Sequence, residues 1–195
     1  CVGQPVDGIN LRIIKITDDP IAEWTDDLEL PTGMIGEITV QGTNVTREYY
    51  NRPESTKLAK IADPKSGGFY HRMGDVGYCD EKGRIWMCGR KNHRVITPEG
   101  TLFTIPCESI FNTHPQVFRT ALVGIKKQPV LCVELESEVQ AEDQATIKKE
   151  LLKIGEQHEI TRGVKRIHFH PAFPVDIRHN AKIFREKLAL WAAGQ

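Results

Sequence analysis

Several things are missing from this 195-residue sequence, and each absence narrows what it can be. No run approaches the length of a membrane-spanning helix, and no signal-peptide pattern opens the chain. Net charge is zero, with 26 Lys and Arg against 26 Asp and Glu, which argues against a general nucleic-acid binder. The five cysteines, Cys1, Cys79, Cys88, Cys107 and Cys132, contain no Cys-x-x-Cys pair. An odd count in mostly apolar runs reads as reduced thiols of a cytoplasmic protein. There is no internal repeat and no low-complexity tract. The phosphate-loop pattern Gly-x-x-x-x-Gly-Lys-Ser/Thr does not occur, so a nucleotide triphosphate handled here needs a phosphate loop outside this chain. Ser109 and His114 lie on one helical stretch and make no catalytic triad. The sequence begins at Cys1 and "CVGQPVDG" reads as the middle of something, so a fragment is expected.

What is present suits a folded globular protein. Hydrophobic residues make up 39% and charged residues 27%, enough for one large domain or two small ones. Charge is unevenly spread. Residues 1–50 hold three Lys/Arg against nine Asp/Glu, residues 51–100 ten against six, and residues 151–195 eight against four. Two basic regions apart in sequence suit a compact anion held between two parts of the chain, although such imbalance also arises by chance.

Along the chain, "INLRIIKI" and "GEITVQG" read as strands, separated by an acidic, turn-rich excursion. "RPESTKLAKI" reads as a short helix, with Pro53 and Glu54 suited to its first turn. "DVGYCD" and "RIWMCG" read as paired strands across a turn at Glu81-Lys82-Gly83. After Arg90 the pattern changes. "RVITPEGTLFTIP" predicts a hairpin, "PCESIFNTH" a helix from near Pro106, and "FRTALVGI" and "PVLCVELE" two strands around "KKQ". "AEDQATIKKELLKIGEQH" has Ile147, Leu151 and Ile154 on one helical face. "VKRIHFH" predicts a strand, "PAFPVDIRHN" an extended loop, and "AKIFREKLALWAAGQ" a final helix. The fold class is α+β, divided near Arg90-Lys91-Asn92 into a mostly β part and an α+β part.

Three residues could carry chemistry. Asp75 follows Gly74 at a strand start, and its two acceptor oxygens can take both hydroxyls of a vicinal diol. Arg90 ends the next strand with a rigid donor fork, so both could reach one ribose. A plain Asp–Arg surface pair is the commoner outcome of such a pattern. Lys182 falls at the predicted start of the last helix, where N–H groups already favour an anion and an ammonium can follow charge developing on phosphate. A solvated lysine is the commoner fate, and Arg178, Arg185 and Lys187 read as solubilising charges. His168 and His170 alternate on one strand, but two ligands without a third are a weak metal signal, and no metal site is expected.

Taken together, these segments resemble the AMP-forming adenylating enzymes: acyl-CoA synthetases, luciferases and peptide adenylation domains. "GEITVQGTNVTREYYNRPEST" is similar to their Gly-Glu-Leu…Pro-Glu-x-Thr segment. "HRMGDVGYCDEKGRIWMCGRK" resembles Arg-Thr-Gly-Asp…Gly-Arg, and "FPVDIRHNAKIFREKL" resembles the tail Pro-Lys-Thr-x-x-Gly-Lys-x-x-Arg. The resemblance implies that Asp75 binds the ribose hydroxyls of ATP with help from Arg90. It implies that Asn92 is a hinge and that Lys182 stabilises acyl-adenylate formation. Residues 1–90 would be the β-rich, barrel-like end of the large domain. Residues 91–195 would be the small mobile domain, with a short antiparallel sheet. Mg2+ would accompany ATP, held mainly by the part not in this chain, and the chain alone would be inactive. Met73 and Ala181 depart from the usual Thr and Gly, and "VITPEG" lacks the basic residues often seen beside thioester chemistry. "GTLFTIPCESIFNTHP" with the tail is most similar to bacterial olefin-biosynthesis β-lactone synthetases, which implies a 2-alkyl-3-hydroxy fatty acid closed to a lactone without CoA. A fatty-acyl-CoA or acyl-carrier ligase, or a non-catalytic adenylate-binding module, remains open. Implied partners are ATP or AMP, the hydroxy acid and other enzymes of the pathway.

Overall fold

The computed structural model describes residues 1–195 except Ile177 and the side chains of His179, Asn180 and Ala181. The chain divides into two compact units, Cys1–Asn92 and His93–Gln195.

The first unit is an antiparallel sheet. It comprises β1 (Asn10–Ile14), β2 (Gly36–Gln41), helix α1 (Pro53–Ala59), β3 (Lys60–Asp63), β4 (Gly68–Cys79) and β5 (Ile85–Arg90). The order is β1-β2-β4-β3, and β5 also pairs with β4. The twelve-residue β4 organises the unit. One edge pairs with β2, while β3 takes residues 68–71 and β5 takes residues 75–79. The β-branched strand residues alternate between two faces. Ile13, Ile38 and Ile85 form one buried cluster, and Ile14, Ile61 and Tyr70 another. Trp24 stacks on Tyr70 with ring centroids 4.3 Å apart. Among the described residues the sheet stays open and closes no barrel of its own.

The turn from β4 to β5 is set by Asp80. Its carboxylate accepts from Trp86 Nε1 at 2.9 Å, from Arg84 Nε at 2.7 Å and from the Lys82 and Arg84 N–H groups. Trp86 first, then the other donors, hold Asp80 well below the usual carboxylate range.

The second unit contains β6 (Val95–Thr97), β7 (Gly100–Leu102), α2 (Thr104–Phe111), β8 (Val117–Ile125), β9 (Gln128–Leu135), α3 (Gln144–Glu156), β10 (Arg166–Phe169), β11 (Val175–Asp176), β12 (His179–Ile183) and α4 (Arg185–Ala193). Its central sheet runs β10-β9-β8. The β8–β9 pair is antiparallel and turns through Lys126 (φ 50°) and Lys127 (φ 63°), the left-handed pair that a two-residue hairpin loop demands. Strand β10 pairs parallel to β9, so the sheet is mixed and not purely antiparallel as expected. A strand returning after α3 has made a crossover, which delivers it parallel.

Period-two alternation loads both faces of this sheet. Leu122, Leu131 and Val133 pack against Phe111 of α2 and against Ile147 and Leu151 of α3. Ala121, Val123, Val130 and Cys132 pack against Leu188 and Ala192 of α4. A large aliphatic side chain buried this way contributes roughly 1.5–3 kcal/mol.

Two expectations near the end of the chain are corrected. The "PAFPVDIRHN" stretch is not only a loop, because β11 pairs antiparallel with β12. The final helix begins at Arg185, not Ala181, so residues 181–183 are strand. Phe184 precedes α4 with no side-chain cap, which is why no cap signal marks the boundary in sequence.

Candidate functional site

Asp75 and Arg90 face each other across the β4–β5 ladder as direct register partners. Between the pairs Glu37–Val76 and Thr39–Arg72, β4 supplies residues 73, 74 and 75 where β2 supplies only Ile38. This bulge turns on Gly74, whose φ of 70° is left-handed and suits glycine. It places Asp75 beside Arg90, with Oδ1 3.1 Å from Nη1. The Asp75 side chain is 16% exposed and that of Arg90 62%. Burial raises the Asp75 carboxyl above its ordinary 3.8, and the Arg90 charge opposes that rise. An acceptor-only carboxylate half sunk beside a largely exposed donor fork can take a diol on one side and a further acceptor on the other.

Sequence reasoning missed what lies beneath this pair. Arg72, three residues before Asp75, donates through Nε (3.1 Å) and Nη2 (2.7 Å) to Glu37 Oε2. Its Nη1 reaches Asp19 O at 2.8 Å and Leu58 O at 3.2 Å, and Nη2 also donates to Thr17 O. Lys91, which follows Arg90, donates to the same Glu37 oxygen at 3.3 Å and to Thr17 O at 3.1 Å. Arg72 and Glu37 are only 4% and 1% exposed. One buried carboxylate thus ties the strand before Asp75 to the residue after Arg90. Both residues stand in the quoted segments "GEITV" and "HRMGD". The available signal was a charge placed among inward-facing strand positions.

Lys182 is exposed and lies on β12, three residues ahead of α4. The helix-terminus argument for it therefore does not apply. Nearby, Asp176 accepts from Arg178 through N–H (2.9 Å), Nε and Nη2 (both 3.2 Å), and these bonds lower the Asp176 pKa. Arg178 is exposed, but Arg185 is not a solvated charge. Its guanidinium forks onto both oxygens of Glu108, with Nη2–Oε2 at 2.9 Å, and Nη1 also reaches Leu122 O at 3.2 Å. Asn92 sits inside a short 3-10 turn, Lys91–His93, where the first unit ends. Ala181, where the resembling segments have Gly, lies outside the described side chains.

The remaining candidates have structural partners. His168 and His170 both lie edge-on to Trp191, at centroid distances of 6.3 and 4.6 Å. Among the described residues no group of three His, Cys, Asp or Glu could hold a metal ion. Burial pushes the Cys88 thiol up to about 11 and Cys132 up to about 12, so neither is a nucleophile at neutral pH. All five cysteines are free thiols, Cys79 and Cys88 included. Ser109 donates to Pro106 O, and His114 pairs with Glu150 at 2.9 Å. No described helix is long and apolar enough to cross a membrane.

No family model matches the chain. Over 202 aligned residues covering the whole chain, it is 52% identical to an olefin beta-lactone synthetase of Xanthomonas campestris, 36% of whose length is covered. A protein of the same name from Stenotrophomonas maltophilia is 47% identical, again over the whole chain and 36% of the relative. A 2-succinylbenzoate–CoA ligase of Bacillus cereus is 30% identical over 63% of this chain and 22% of its own. The chain thus spans about a third of the length of the first two curated relatives it matches. In fold it is similar to the amide bond synthetase McbA of Marinactinospora thermotolerans, with a TM-score of 0.76 and 22% identity over 97% of this chain and 36% of that one. O-succinylbenzoate CoA synthetase of Bacillus subtilis, solved with ATP and magnesium, matches at TM-score 0.69 and 22% identity over 95% and 35%. Over its whole length, then, the chain is similar in sequence to proteins named olefin beta-lactone synthetase and in fold to AMP-forming ligases.

Proposed function

We propose that the chain is the C-terminal part of an ATP-dependent, AMP-forming ligase that activates a long-chain 2-alkyl-3-hydroxy fatty acid and closes it to a β-lactone. The observation that most supports this reading is the whole-chain identity to proteins named olefin beta-lactone synthetase. In this account the first unit is the end of the large adenylating domain. The second is the small domain that turns about Asn92. Free thiols and ATP use suit the cytoplasm.

The chemistry has two steps. A carboxylate oxygen of the acid attacks the α-phosphorus of ATP and pyrophosphate leaves. The 3-hydroxyl oxygen then attacks the acyl carbon, its proton is lost, and the bond to AMP breaks as the four-membered ring closes. Asp75 accepts the ribose hydroxyls and Arg90 donates beside it, which fixes the nucleotide. The Lys182 ammonium meets negative charge gathering on the α-phosphate oxygens in the first step, where charge stabilisation raises rate. Magnesium bound with ATP would neutralise phosphate charge. It would be held mainly by the nucleotide and by parts of the protein outside this chain.

A second reading, acyl-CoA ligation, draws support from the partial match to a CoA ligase. The full-length protein incubated with ATP and a 2-alkyl-3-hydroxy acid, with and without CoA, separates them by product mass. A lactone formed equally in both arms supports the proposal. An acyl-CoA formed only with CoA supports the second reading and overturns the first.

A further inference from the structure

Lys182 rides on β12 of the β11–β12 ribbon, whose flanks at Phe173 and Arg185 are tied down by buried carboxylates of the second unit. At the start, Glu134 of β9 accepts the Phe173 N–H at 2.7 Å and Arg119 Nε at 2.8 Å. At the end, Glu108 of α2 takes both arms of Arg185, the first residue of α4. The same Glu108 accepts the Leu122 N–H at 2.7 Å, and Arg185 returns a bond to Leu122 O. One carboxylate and one guanidinium therefore lock α2, β8 and the ribbon together. Between them, Phe184 N–H donates to Pro174 O at 2.9 Å and Ile183 pairs with Val175, so the ribbon is closed just past Lys182.

The side chains of Arg185 and Glu108 are 14% and 10% exposed. Burial raises the Glu108 carboxyl despite its partner, so desolvation is costly here. Packed apolar side chains would stabilise such a site as well. What a bidentate pair adds is a single geometry, since a planar fork meets a planar carboxylate in one orientation. Lys182 itself is exposed, so burial does little to aim it.

We propose that the Glu108–Arg185 pair is a positioning clamp for Lys182, holding the β12–α4 junction so that the ammonium is presented in one place. The inference rests on the reading of Lys182 as the adenylating lysine. The clamp touches no substrate and acts through the ribbon. A displacement of about 1 Å at a reacting centre can cost roughly a hundredfold in rate.

The test is a double-mutant cycle in the full-length enzyme, reading the adenylation half-reaction. Arg185→Lys keeps the charge and loses the fork, and Glu108→Gln keeps the shape and loses the charge. Each is expected to lower kcat roughly 10- to 100-fold. The KM for ATP should stay within about twofold, whatever stability the variants lose. Either change placed on Lys182→Ala should cost nothing further, because nothing remains to be aimed. If Lys182→Ala lowers the rate but the clamp changes add their full cost to it, the clamp is refuted and the lysine reading stands. If Lys182→Ala leaves the rate unchanged, the lysine reading falls and the clamp falls with it. If both clamp variants fail to fold, the pair is a determinant of stability and the positioning role is refuted.

Discussion

Replacing Arg72 with methionine tests the buried ion cluster beneath Asp75 and Arg90. The substitution keeps an unbranched apolar stem and removes every donor. Two bonds to Glu37 vanish, and Asp19 O and Leu58 O lose the Arg72 donor. Thr17 O keeps Lys91, as does Glu37 Oε2 at 3.3 Å. A carboxylate 1% exposed is then left with one long partner. Breaking a buried pair by removing one member costs about 3–5 kcal/mol. At an m-value of about 2 kcal/mol per molar urea, that lowers the midpoint of the first unit by roughly 1.5–2.5 M. Lys91→Met leaves Glu37 with both Arg72 bonds and should cost less, about 1–3 kcal/mol. Lys65→Ala breaks only the exposed pair with Asp26 and should leave the midpoint in place. Urea unfolding of the three variants, followed by Trp24 fluorescence, gives the ranking. A midpoint shift below about 0.5 M for Arg72→Met, or a larger loss for Lys91→Met than for Arg72→Met, would refute the reasoning.

Four further outcomes are expected. In the full-length enzyme Asp75→Ala should raise the KM for ATP strongly while the melting temperature moves only a few degrees, and steady-state kinetics with calorimetry would expose the opposite pattern. Lys182→Ala should cost roughly 10²–10³ in adenylation, about 2.7–4 kcal/mol, whereas Arg178→Ala and Lys187→Ala should each cost under about tenfold. Lactone closure from synthetic acyl-adenylate should tolerate Lys182→Ala far better than adenylation does. Burial first, then nearby charge, lowers the pKa of His168, and burial lowers that of His170, from the ordinary 6.5. The unfolded chain then binds protons that the folded chain does not, so stability is full above about pH 6.5 and falls as pH drops through that value. His168→Phe with His170→Phe should flatten this slope in a pH series of unfolding curves.

Local signals carried far into this fold. The β-branched runs of β1, β2, β8 and β9, the helical face of Ile147 and Leu151, and a turn after Ile125 were legible because each depends on neighbours in sequence. What was hidden depends on distant partners. Arg185 read as a solubilising charge because Glu108 lies 77 residues away. Arg72 and Glu37 are 35 apart, and a charge among strand positions was the one local hint of their pairing. The segment 181–183 has good helix formers in Ala and Lys, yet pairing with β11 draws it into a strand, a tertiary override of propensity. The parallel direction of β10 follows from the α3 crossover and leaves no mark in its four residues. Asp75 and Arg90 were found from a Gly-Asp step and a strand end; Asp75 lies within β4 and not at its start, because the strand runs on through the bulge at Gly74, and the register places the two opposite each other.

The most direct test of adenylation is the fate of ATP. The full-length protein is given ATP, magnesium, labelled pyrophosphate and a 2-alkyl-3-hydroxy acid, and label entering ATP is followed beside the nucleotide products. The account predicts exchange that requires the acid, with AMP and pyrophosphate as the products of turnover. Acid-independent exchange, or ADP and phosphate in place of AMP and pyrophosphate, would contradict it.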